Sequence, residues 1–134
     1  MVSAIVILLM VFIMVSALNQ KITEKSETKN LAYLKSKAVF FADSLVKNSN
    51  EKEPEKGIAL YDKEKKRVQE NVIDLKLAEK LDEKKFPEKL KEIRIEFSNM
   101  KITAGRKEGA CFEAKRFILN ESNEKGVLYA TACN

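Results

Sequence analysis

The first eighteen residues, MVSAIVILLMVFIMVSAL, carry no ionisable side chain, so all 25 Lys+Arg and all 20 Asp+Glu fall after position 18. Val2, Ile5, Val6, Ile7, Leu8, Leu9, Met10, Val11, Phe12, Ile13, Met14 and Val15 cover every side of a helix. A helix that is apolar all round has no face for water and must be buried in lipid or in other protein. At 1.5 Å per residue such a segment is about 27 Å long, near the roughly 30 Å hydrocarbon core. These residues are therefore expected to form a transmembrane or assembly helix over 1–18. A cleaved secretory signal would open on basic residues and use a shorter apolar run. No Lys or Arg precedes this one. A plain single-pass anchor fits the same apolarity.

The next segment, 19–30, has one apolar side chain, Ile22, and neither Gly nor Pro. Beyond it Leu31, Leu34, Ala38, Phe41 and Leu45 recur every three or four residues. That spacing predicts one helical stripe able to pack a domain. Nothing interrupts the helical pattern from Val2 to about Lys47, which predicts a rod on the order of 70 Å. Residues 19–47 are thus expected to continue the helix, amphipathic in their second half.

Residues 48–56 lack apolar side chains and contain Pro54, which ends the helix. The remainder, 48–134, is expected to be an α+β head domain with mostly antiparallel strands. Gly57–Asp62 and Arg67–Ile73 flank the charged run KEKK and predict a hairpin. Asp74 suits a helix N-cap before LKLAEKL. Ile93, Ile95 and Phe97 alternate with Arg94 and Glu96, the period-two pattern of a half-buried strand. CFEAKRFILN and GVLYATAC, joined by ESNEK, predict a closing hairpin. The expected fold is α+β: a long apolar-then-amphipathic N-terminal helix packed by a small antiparallel sheet of about five strands.

Cys111 opens one arm of the closing hairpin and Cys133 ends the other, so pairing of the arms would place a disulfide between them. Two separate buried thiols are the alternative. Asn120-Glu121-Ser122 fits the N-glycosylation triplet and falls at the hairpin turn. With His 0 the chain lacks the commonest general base and metal ligand near neutral pH. It also lacks phosphate-binding glycine loops and C-x-x-C. No catalytic residue, cofactor or metal site is expected. The net charge of +5 comes from interspersed acids and bases, without the basic stripe and interleaved aromatics of a nucleic-acid binder. No nucleic-acid partner is expected.

These residues resemble archaeal type IV pilin-like proteins, the class III signal peptide family. That family's mature chains begin directly with an apolar helix, often as Q-x-S-x-E, and Ser3 matches within Met1-Val2-Ser3-Ala4-Ile5. VSAIVILLMVFI, the segment ADSLVKNSNEKEPEKGIALYDKEKKRVQENVIDL and the ending CFEAKRFILNESNEKGVLYATAC are similar to pilin-like chains of methanogens and their relatives. Position 5 departs from the family, being Ile where many pilins carry an acid. Lys21, Lys25, Lys29, Lys35 and Lys37 follow the apolar run. By the positive-inside rule they would hold the domain in the cytoplasm, unless Met1 stands near a mature start whose leader has been removed. The resemblance implies a structural subunit of a surface filament, self-associating through residues 1–18 and handled by pilus assembly machinery. It also implies a membrane-anchored pool before assembly, an extracellular head and a role such as cell adhesion. The alternative is a single-pass surface protein, or a minor pilin-like component, that binds a ligand or partner without polymerising.

Overall fold

The computed structural model describes the backbone of residues 2–134 and the side chains of residues 3–18 and 30–134. The expectations placed on Met1, on the Val2 side chain and on the side chains of 19–29, Ile22 included, lie outside the described residues. Two compact units divide the chain, Met1–Tyr33 and Leu34–Asn134. The helix α1, Val2–Lys47, supplies all the secondary structure of the first unit and the opening of the second.

In the second unit, Leu34, Ala38, Phe41, Ala42, Leu45 and Val46 of α1 form the buried face of the helix. Lys47 in the last turn complements the helix C-terminus. The chain then doubles back on the helix end, where Ile58 N donates to Leu45 O at 3.0 Å and Ala59 N to Asn48 O at 2.9 Å. Gly57 permits this approach, since a Cβ there would lie 2.4 Å from Asn48 O.

Six strands follow: β1 (Ala59–Asp62), β2 (Arg67–Ile73), β3 (Leu90–Phe97), β4 (Met100–Gly105), β5 (Cys111–Leu119) and β6 (Lys125–Cys133). A short helix α2, Leu75–Glu79, lies between β2 and β3. The Asp74 carboxylate caps it, accepting from Lys76 N at 3.0 Å. Asp62 accepts from Glu64 N and Lys65 N at the β1–β2 turn, which leaves the charged tip in water. Ile93 and Ile95 of β3 are fully buried among Leu128, Ala130 and Ala132 of β6 and the buried face of α1. Phe97 pairs with Gly126, whose missing side chain leaves room for the ring.

The expected fold needs two corrections. The sheet is mixed, in the order β1-β2-β5-β6-β3-β4, with β2 and β5 parallel through Val72 and Leu119. Parallel pairing needs a long crossover, and α2, β3 and β4 all lie between these two strands in sequence. The second correction concerns the long apolar helix. Among the described residues, no helix is long and apolar enough to cross a membrane. The transmembrane role expected of residues 1–18 is therefore withdrawn.

Candidate functional site

In the first unit, every large apolar side chain from Ile5 to Val15 is exposed, from Val6 at 45% to Phe12 at 71%. Leu18 is exposed as well. A folded chain seldom leaves so large a contiguous apolar surface in water unless something covers it. The segment offers shape and apolar area alone, because it has neither a charge nor an amphipathic side to choose a partner. Leu31 corrects one expectation. It is 52% exposed, so the packing stripe begins at Leu34 and continues through Ala38, Phe41 and Leu45, all buried. Helical spacing assigns a residue to a face, but burial also needs a surface opposite that turn.

The second unit carries a charged cluster on the outer face of its sheet. Cross-strand pairing aligns Glu92, Arg94 and Glu96 of β3 with Thr131, Tyr129 and Val127 of β6. It aligns Glu113, Lys115 and Phe117 of β5 with the same three residues from the other side. Arg94 is the hub. Its Nη2 donates to Glu113 Oε1 at 3.2 Å, its Nη1 lies 3.7 Å from Glu92 Oε1, and its guanidinium sits 4.2 Å over the Tyr129 ring. Lys107 reaches the other Glu113 oxygen at 2.8 Å. Arg94 Nε is 3.1 Å from Glu96 Oε1, yet its N–H is not aimed there. That atom and Glu92 Oε1 are buried without a hydrogen-bond partner among the described residues.

Glu92, only 8% exposed, is the member that alternation hides. Period two places it on the solvent side, and only the neighbouring strands show that Arg94 and its surroundings cover it. The cluster neutralises its own charges, which suits it to fixing strand register. It does not gather three metal-ligating groups: among the described residues no such group exists.

Two further contacts brace this unit. Arg116 Nε donates to Asp43 Oδ1 at 2.8 Å, tying β5 to the last turns of α1. This hydrogen bond, with the guanidinium charge behind it, holds the Asp43 carboxyl below its ordinary value of 3.8 against an opposing effect of burial. Cys111 and Cys133 face each other directly across β5 and β6 and form a disulfide.

Asn120, on which a glycan was expected, lies just past the end of β5. It is 7% exposed, and its Oδ1 accepts from Ser122 N and Glu124 N, both at 2.9 Å. Asn120 works as a turn cap.

Several clefts open on the second unit, two of them among side chains already described. One of about 680 Å³ is lined by Phe86, Lys91, Arg106 and Glu108 among others, and its charges are mixed. The other, about 460 Å³, is mainly apolar and lies against Phe40, Phe41 and Pro87. No family model matches the chain, and no curated protein or solved structure is significantly similar to it.

Proposed function

We propose that this chain is a structural subunit of a surface filament of the archaeal type IV pilus kind, in which copies associate through residues 3–18. One observation carries the reading: the unbroken exposed apolar surface from Ile5 to Leu18. Covering each such side chain is worth roughly 1.5–3 kcal/mol, so the segment as a whole stands to gain on the order of tens of kcal/mol before ordering costs. Copies of the same segment are a natural cover, since an uncharged, all-round apolar helix packs as well on its own kind as on anything else. A bilayer-spanning stage forms no part of the proposal.

The second unit supports an outward-facing role in the same filament. Its disulfide belongs to an oxidising compartment, and its charged sheet face suits water. The resemblance of the opening and closing segments to archaeal pilin-like chains points the same way.

Shearing cells that make the chain, imaging the released material and weighing the intact subunit tests this. The expected result is fibres in which this chain is the bulk subunit and retains residues 3–18. A chain found only as single copies on the cell, or with the apolar segment removed, would contradict it. A few copies per fibre would instead assign it a minor, tip or priming role.

A further inference from the structure

We propose that the Phe117 side chain of one copy docks into the Phe40 groove of a second copy, a contact that rests on the filament reading above and gives it a second interface. Phe117 is 77% exposed, the highest among the large apolar side chains of the described residues. It stands on the outer sheet face opposite Val127, and it has no protein wall around it. Lys115 lies two residues before it on the same face, and Lys125 is paired with Leu119 two residues after it. Neither lysine makes an ion pair among the described residues.

The groove has the complementary character. Phe40, 63% exposed, and the edge-on ring of Phe41, 5.8 Å away, form its apolar wall with Pro87. Most of the charges along it are already committed. Lys56 is bound to Glu53 at 2.8 Å, Glu55 accepts from Asp82 N at 3.0 Å, and Lys37 has a contact within its own chain. Among the described residues, Glu88 is the one lining charge with no ion pair or hydrogen bond. An aromatic knob flanked by Lys125 and by Lys115, whose ammonium lies 5.7 Å over the Tyr129 ring, therefore matches an aromatic groove edged by the acid Glu88. Knob and groove are different patches, so the contact can repeat head to tail from copy to copy, and it builds a fibre where the rotation between copies does not close a ring.

The test places the photo-reactive analogue benzoylphenylalanine at position 117 of the full chain and mixes isotopically light and heavy copies before irradiation. Light–heavy cross-links from position 117 to the peptides bearing Phe40 or Pro87 are expected. Cross-links to another segment of a second copy, to a different protein, to lipid, or to nothing would overturn the contact. Lys115→Glu with Lys125→Glu is expected to lower the cross-link yield about fivefold, and adding Glu88→Lys to return it to within about twofold. Failure of that rescue also counts against the contact, since recovery is what separates pairing from misfolding. Sedimentable assemblies are scored in the same samples. Assemblies without these cross-links would overturn this contact and leave the α1 reading intact, whereas absence of assemblies would remove both.

Discussion

Asp43 and Arg116 show how one pair can report on folding through pH. The carboxyl of Asp43 is held below its ordinary value of 3.8 by the Arg116 hydrogen bond first, with burial opposing. A depressed carboxylate contributes stability that is present above the ordinary value and lost as pH falls through the lowered folded value. Asp43→Asn is therefore expected to remove part of the acid-induced loss below about pH 4, while changing stability at pH 7 by about 1 kcal/mol or less. Urea unfolding of the full chain in detergent, at a series of pH values, measures both. Asn120 gives a sharper result at the same scale. Asn120→Ala leaves two backbone N–H groups of the β5–β6 turn without their acceptor and is expected to cost about 1–2 kcal/mol. A loss within error of zero would show that the turn closes without its cap.

Single residues also mark where sequence reasoning runs out. Asp74 was legible as a cap because an acid before an apolar-periodic run has one common use. Asn120 was legible only as a triplet, since the sequence does not reveal that its amide is already engaged by Ser122 and Glu124. Glu92 lies outside the alternating run Ile93–Phe97, and its burial depends on Arg94 and on strands that pair only in three dimensions.

At the scale of elements, the hairpins follow from local chemistry. The β1–β2 turn has an Asp and four charged tip residues, and β3 alternates from Ile93 to Phe97, so each strand is marked by its own residues. Which strand neighbours which is a different matter. The parallel contact of β2 with β5 joins elements separated by α2, β3 and β4, and no local pattern encodes it. A sheet of antiparallel hairpins is the simplest assembly of those strands, and the parallel pair is what that simplicity missed. The disulfide fares better, because it closes a hairpin whose arms were both recognisable. Cys111 and Cys133 are 22 residues apart, and removing the bond is expected to cost about 3 kcal/mol through the freedom returned to the unfolded chain. Comparing denaturant midpoints of the native chain and a Cys111→Ser, Cys133→Ser variant checks this. An unchanged midpoint would mean that β-ladder pairing alone fixes the ends of β5 and β6.

For the whole molecule, the two units differ in what they leave uncovered. Residues 34–134 bury a core drawn from α1, α2 and the sheet, and their polar surface is internally paired over much of the outer face. Residues 3–18 bury none of their large apolar side chains. The sequence made that contrast plain through the absence of charge. It could not say whether lipid or protein supplies the cover, because both are apolar and the segment has no residue that distinguishes them. Among the described residues, no helix is long and apolar enough to cross a membrane.

Electron microscopy of the purified full chain, before and after detergent is withdrawn, tests that cover most directly. Wild-type chain should pass from dispersed particles to fibres of uniform width, and Leu8→Lys with Phe12→Lys should stay dispersed while its Cys111–Cys133 bond and strand content are retained. Wild-type chain that remains as single copies once detergent is gone, or double-variant chain that forms the same fibres, would contradict the assignment of residues 3–18 as the surface through which copies join.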